Sequence, residues 1–513
     1  MSRLKKFTRS LASGYVLLGA NIFYTLAGVP LALHYLGKLE FGLWALVTQI
    51  GGYIALIDFG MSNSVSRFLI DHKDDRQNGA YGSVIKTSVL VGGAQGVLII
   101  LAGVFLSVVA GPLLHISADF QRQFVWLMIG QSVLLALSFI GRVLSSILLA
   151  HQQPAISCYG AAVMLIVNLA GMWAGLAMGW GVYSFLIGQA LMTLGNLVIN
   201  AAGCIWLGLL PKAGEWGAMS RARFQELFAF GRDSFLMGIG WQFISASQTI
   251  LLTRFLGLET AAIWSVCTRT YTVVIMLISR IFDFSFPALT EMMVRDERER
   301  LFRRFREITG FCASVSLVAG TLLAVCNGPF VWLWTGGKIH WPPVNDLLLA
   351  ILCFVATFVR PHTGLATQTK RFGFLRFIFL VEGLAFVGLN LLAHRVAGMT
   401  TMLIFSIVCT LAFTLPYGLW RTCGYCGLGW RELAGWYRPT WHLTLRLVPV
   451  ALGIWWLARG LPAPWQLTVN VLLSGLWGGV MLLRHGLGEP LQAEIIGRAP
   501  GWLKAVLKRL MAA

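Results

Sequence analysis

Apolar stretches of 18 to 25 residues recur along nearly the whole chain. Each is long enough to cross a hydrocarbon layer of about 30 Å as a helix. Lipid offers no hydrogen bonds, so a spanning backbone must satisfy itself within helices or within a closed barrel. Long continuous runs, rather than alternations of about ten residues, select helices. Composition points the same way. Only 12% of residues are charged, against about 25% in a soluble domain, and a large buried core does not explain runs of this length. The chain reads as an all-α polytopic membrane protein.

Breaks at polar, Gly/Pro and charged clusters divide the apolar sequence into fourteen expected spans: 11–35, 42–70, 82–110, 124–149, 155–178, 182–207, 227–256, 261–292, 307–332, 345–368, 374–394, 399–420, 442–459 and 464–483. The first follows Arg3, Lys5, Lys6 and Arg9 and is too long for the apolar part of a cleaved signal peptide. An even count puts both termini on one side, and charge selects the side. With the N-terminus cytoplasmic, thirty of the forty Lys and Arg fall on the inner face, six on the outer face and four inside spans. This asymmetry is a strong positive-inside signal. It also accounts for the net charge of +19 through anionic inner-leaflet lipid, without nucleic acid.

The outer loops are short; "TGGKIHWPPVND" is the longest, and none has room for a catalytic domain. The tail "GWLKAVLKRLMAA" sets Trp502, Leu503, Val506, Leu507 and Leu510 against Lys504, Lys508 and Arg509, as a basic amphipathic helix on the inner leaflet would. The nine cysteines sit mostly inside apolar runs and read as small hydrophobes. Cys423 and Cys426 have C-x-x-C spacing but no second pair or histidine nearby, so no metal site is expected.

Sliding the chain by 220 residues aligns the first two spans with the seventh and eighth. Phe23, Leu31, Leu36, Gly37, Trp44 and Thr48 meet Phe243, Leu251, Leu256, Gly257, Trp264 and Thr268 without a gap. A displacement of six spans preserves orientation, so the repeat is parallel. The expected organisation is 1–210 for the first six spans, 211–425 for the next six, 426–485 for two more, and 486–513 for the tail.

The stretch "YLGKLEFGLWALVTQIGGYIALIDFGMSNSVSRFL", the repeat and the fourteen spans resemble the polysaccharide-biosynthesis (Wzx-type) flippases of the multidrug/oligosaccharidyl-lipid/polysaccharide exporter superfamily. The resemblance covers essentially the whole chain and implies a MATE-like fold, with two six-helix lobes around a central cavity. It implies alternating access and movement of a polyprenyl-pyrophosphate-linked oligosaccharide to the outer leaflet of a bacterial inner membrane. A monomer is implied, with no cofactor and no enzymatic activity. The implied partners are the lipid-linked oligosaccharide, membrane lipids, a polysaccharide polymerase and a chain-length regulator.

Seven ionisable residues lie well inside expected spans: Asp58, Arg142, Arg269, Arg280, Asp283, Arg360 and Glu382. Each costs ~2.5–3.5 kcal/mol at a helix centre on insertion scales, so each is expected to face a partner or a wet cavity. Arg269 and Arg280 are about three helical turns apart and share a face, with Asp283 one turn beyond, within reach of Arg280. Guanidinium forks suit phosphate oxygens and cannot be titrated away. Arg269, Arg280, Arg142, Arg67 and Arg360 are therefore the candidate ligands of an anionic headgroup. Arg142 is flanked by Ser138, Ser145 and Ser146. Arg67 lies near the cytoplasmic end of its span, and Arg360 precedes Pro361, where a broken helix would expose backbone; snorkelling is the alternative for both.

Asp58, Ser62 and Ser66 follow i, i+4, i+8 spacing, Asn63 and Arg67 form a second polar line, and Gly60 is positioned to kink the helix between them. In the repeat Asn63 aligns with Asp283 and Gln49 with Arg269, so the polar residues of the second and eighth spans are expected to line a shared cleft. Asp58, Asp283 and His34 are the candidate ion-coupling groups, and Glu382 is read as a packing residue. A cation-coupled drug exporter of the same superfamily is the nearest alternative, but organic cations call for an acidic lining, and four arginines oppose three acids here. A membrane-embedded glycan polymerase or ligase would want a large outer loop or paired outer acids. No phosphate-cradling G-x-x-x-x-G-K-[ST] loop occurs.

Overall fold

A computed structural model of the chain describes residues 3–73, 75–76, 78–218, 221–368, 373–396 and 398–488, with isolated positions from 492 to 504. Fourteen helical segments among them are long and apolar enough to cross a membrane. They are Ala12–Tyr35, Lys38–Asp58, Ala80–Leu113, Ala118–Ala150, Pro154–Ala177, Gly181–Trp206, Phe235–Leu256, Leu258–Asp283, Arg298–Trp334, Pro343–Ala366, Leu375–Leu392, Met399–Cys426, Arg438–Ala458 and Ala463–Gly486. They are called spans one to fourteen below. The fold class is all-α and polytopic, as the apolar runs require. The chain divides into two compact units, Met1–Ser265 and Val266–Ala513.

In the first unit, lipid removes the hydrophobic drive between helices, and small residues at the contacts replace it. Gly92, Gly96 and Gly103 of span three lie against Phe139, Ala136 and Ser132 of span four. Gly175 and Gly188 bring spans five and six together around Ser184 and Asn168. Large apolar side chains such as Phe105, Val108, Val198 and Ile205 are exposed instead, as a lipid-facing surface requires. Leu69, Tyr81, Ile147, Leu148 and Cys204 form a buried cluster at the end bearing the basic connections.

In the second unit, span nine runs unbroken for 37 residues, about 55 Å at 1.5 Å per residue, so it projects well beyond the bilayer. The basic stretch expected as a connection is thus helix. Its Arg and Glu residues are good helix formers, and Arg300–Glu297 (2.9 Å) and Arg304–Glu307 (2.8 Å) pair along the exposed surface. Phe282, Phe305, Leu365, Cys423, Cys426, Leu433 and Trp436 pack into one core cluster. Both thiols of the C-x-x-C pair are free and buried there as packing groups. Spans thirteen and fourteen join span nine through Leu443, Leu447 and Met481 against Leu317 and Val318. Most of the amphipathic tail lies outside the described residues.

Candidate anion site

The second span, expected as one helix over 42–70, is broken. Helix runs from Lys38 to Ile54, tightens into a 3₁₀ turn over Ala55–Asp58, and resumes at Met61–His72. Phe59 and Gly60 between them are left-handed, with φ of 50° and 73°. Gly60 is required there for a second reason: a Cβ on it would lie 2.3 Å from the carbonyl oxygen of Gly231. The two backbones cross with no room for a side chain.

The break creates the polar environment of Asp58. Its carboxylate accepts from the Ser62 hydroxyl (2.6 Å) and from the Ser62 amide (3.3 Å). It thereby satisfies an amide at the start of the resumed helix, an end that favours negative charge. The main-chain carbonyl of Asp58 accepts from Gln95 Nε2 of span three (2.9 Å). Arg142 of span four reaches over: one Nη is 3.7 Å from Asp58 Oδ1 and 3.5 Å from Ser62 Oγ, and the guanidinium lies 4.2 Å from the centre of the Phe139 ring. The hydroxyls of Ser66 and Ser146 are 2.9 Å apart, one turn further along the same two helices. A cavity of about 20 Å³ remains between Asp58, Ser62, Ser88, Gln95, Arg142 and Ser146, room for a single water.

The second unit holds a similar pair. Arg360 of span ten donates through Nη2 to Asp283 Oδ1 of span eight at 2.8 Å. Asp283 was expected within reach of Arg280, its neighbour one turn away. Residues three apart on a helix are neighbours, yet the carboxylate pairs across to span ten, because the packing of the two helices brings the Arg360 guanidinium to 2.8 Å from it. Arg280 is exposed and has no ion pair among the described residues. Arg269 opens the helix Arg269–Val294 and is half-buried. Pro361 does not break its helix, which continues over Pro343–Gln368. The Thr363 hydroxyl donates to the Arg360 carbonyl (3.1 Å) near the position where proline interrupts the hydrogen-bond ladder.

The remaining candidates stand apart from these pairs. Arg67 is exposed and bound to Asp71 at 3.2 Å, an i, i+4 surface pair. His34 is exposed in the last turn of span one, edge-on to Tyr35. The side chain of Asn63 lies outside the described residues. Glu382 is buried in span eleven and accepts from Thr410 Oγ1 of span twelve (2.9 Å), as a packing residue would.

Two buried polar networks escaped the reading of the sequence. His362, two residues beyond Arg360, is 1% exposed and bonds through both ring nitrogens, to Thr422 Oγ1 (2.8 Å) and to the Tyr437 hydroxyl (2.6 Å). Thr422 gives its own proton to the Gly418 carbonyl (3.0 Å), so it accepts from His362 Nδ1–H, and Nε2 accepts from Tyr437. The network ties the helix carrying Arg360 to span twelve and to the residue that precedes span thirteen. Asp346, in the first turn of span ten, is 4% exposed and accepts from Asn327 Nδ2 (2.6 Å) and Trp341 Nε1 (2.7 Å). The signal for His362 was a histidine inside an apolar run; for Asp346 there was none, because span edges look exposed in sequence.

A family model described as polysaccharide biosynthesis protein matches residues 11–293, more than half of the chain. The chain belongs to this family. No curated protein matches it at the sequence level. Among solved structures, the lipid II flippase MurJ in an inward closed conformation matches with a TM-score of 0.64 at 11% identity, over 91% of this chain and 99% of that one. An inward-facing MATE multidrug resistance transporter of the MOP superfamily matches with a TM-score of 0.63 at 13% identity, over 80% and 98%. An outward-facing MATE transporter gives 0.56 at 14% identity, over 82% and 94%. At these identities the likeness is one of fold, and the fold of this polysaccharide biosynthesis family member is MATE-like.

Proposed function

We propose that the protein is a flippase that moves a polyprenyl-pyrophosphate-linked oligosaccharide from the cytoplasmic to the outer leaflet of a bacterial inner membrane, with both termini cytoplasmic, by exposing a headgroup site to the two leaflets in turn. The observation that carries the reading is the state of two arginines inside membrane-spanning helices. Arg142 and Arg360 stay 40% and 49% exposed, although each has a carboxylate beside it. A guanidinium kept only to stabilise packing would be enclosed. One that keeps donors open is suited to the paired oxygens of a phosphate. Arg269 and Arg280 extend the same chemistry along span eight. A drug exporter for organic cations has no use for cationic groups held in this way.

The test is complementation of a strain lacking its oligosaccharide-lipid flippase. Arg142→Ala and Arg360→Ala lose complementation while the protein reaches the membrane at wild-type level, and Arg142→Lys and Arg360→Lys recover part of it. Arg269→Ala and Arg280→Ala belong in the same series. Full complementation by all four alanine variants removes the reading.

A further inference from the structure

Among the described residues, each unit holds one arginine–carboxylate pair that bridges two spans: spans two and four in the first unit, spans eight and ten in the second. Under the 220-residue repeat these spans correspond, yet the residues do not. Asp58 aligns with Ile278, and Asp283 aligns with Asn63. An arrangement that recurs at non-equivalent positions reflects a shared use rather than an inherited residue.

Neither pair is sealed. Asp58 and Asp283 are 19% and 36% exposed beside their more exposed arginines. A guanidinium carries five N–H donors, and the side chain of Arg360 spends one of them on Asp283. Asp58 does not depend on Arg142, because the Ser62 hydroxyl and amide already hold its carboxylate. In both pairs the arginine can leave without stranding its acid in a dry site.

Resting on the headgroup reading above, we infer that Asp58 and Asp283 are internal stand-ins for the substrate's phosphate. Each occupies an arginine while the carrier is empty and surrenders it when the pyrophosphate arrives. In the empty state the guanidinium is neutralised, so an unpaired charge does not sit in the membrane-spanning region. A pyrophosphate offers more charge and paired oxygens in the geometry of the arginine fork, so it displaces a single carboxylate. On the far side the carboxylate competes for the same arginine and speeds release. The acids set affinity from below, and their removal tightens binding. Arg360 and Asp283 touch at 2.8 Å while Arg142 and Asp58 stand 3.7 Å apart, so Asp283 is the stronger competitor.

The experiment uses the full chain in nanodiscs of uncharged phospholipid and measures binding of farnesyl pyrophosphate and of inorganic pyrophosphate by calorimetry. Asp283→Asn binds farnesyl pyrophosphate about tenfold more tightly, the effect of about one charge-assisted hydrogen bond discounted for exposure. Asp58→Asn gives a smaller gain in the same direction, and Asp283→Glu, which keeps the charge, stays near wild type. Gel filtration of each variant establishes that it is folded. Equal gains for both probes assign recognition to the phosphates alone; a gain for farnesyl pyrophosphate alone assigns it to the lipid-linked form, and either supports the stand-in role. If Arg142→Ala and Arg360→Ala weaken binding but neither asparagine variant tightens it, the stand-in role is overturned and the headgroup reading survives. If the alanine variants bind as wild type does, both fall together.

Discussion

Replacing Gly60 by alanine tests whether the break in span two is what places Asp58. Two penalties act at this position. The left-handed backbone at φ 73° costs an L side chain roughly 1–2 kcal/mol. The new Cβ, 2.3 Å from the Gly231 carbonyl oxygen, meets backbone rather than a side chain that can rotate away, and overpacking of this kind costs about 1–3 kcal/mol. Together they amount to ~2–5 kcal/mol, relieved only by parting the two helices or by straightening the break. Either response moves Asp58 off the Ser62 amide and away from Arg142. Gly93→Ala in span three is the control, since a Cβ there meets nothing within 4 Å. The assay is thermal unfolding of the purified protein followed by complementation. Gly60→Ala unfolds at a clearly lower temperature and complements poorly, whereas Gly93→Ala matches the wild type. Wild-type unfolding and complementation by Gly60→Ala would show that neither the left-handed conformation nor the close crossing is required.

Three further outcomes are expected. His362→Phe and Tyr437→Phe each destabilise by ~1–3 kcal/mol through a buried polar group left without its partner, and the double variant loses less than their sum because both cut one network; additive losses in thermal unfolding would dissolve it. Arg67→Ala leaves flipping within about twofold of wild type, since an exposed surface pair contributes little; a severe loss would place Arg67 in the headgroup site. Collapsing an inside-negative potential across proteoliposomes slows outward flipping, because each negative charge carried out gains ~2.3 kcal/mol per ~100 mV; an unchanged rate and extent would remove the potential as a driving term.

The spans were legible in the sequence because lipid leaves a long apolar run only the helix, and the boundaries erred where lipid was not the constraint. Span nine extends to Arg298 because helix propensity and surface ion pairs continue after the apolar run has ended. The kink at Gly60 was legible from the glycine itself, since few other residues serve a left-handed turn. The grouping of Asp58, Ser62 and Ser66 was legible from spacing, but the meeting of Asp58 and Ser62 with Arg142, 80 residues from Ser62, was not. The same holds for Asp283. Spacing offered it Arg280 three residues away, and the fold supplied Arg360 at a separation of 77. Local periodicity fixes which face a charge occupies; only helix packing decides which neighbour answers it.

On the reading proposed above, membrane-embedded guanidiniums recognise a negatively charged lipid headgroup. Liposomes reconstituted with the protein and with two fluorescent polyprenyl-linked sugars that differ only at the linkage, one a pyrophosphate and the other an uncharged ether, isolate that recognition. Flipping of the pyrophosphate lipid, loss of that flipping in Arg142→Ala and Arg360→Ala, and no flipping of the ether lipid are the expected results. Equal flipping of both lipids, untouched by either substitution, would show that the arginines do not read the headgroup charge.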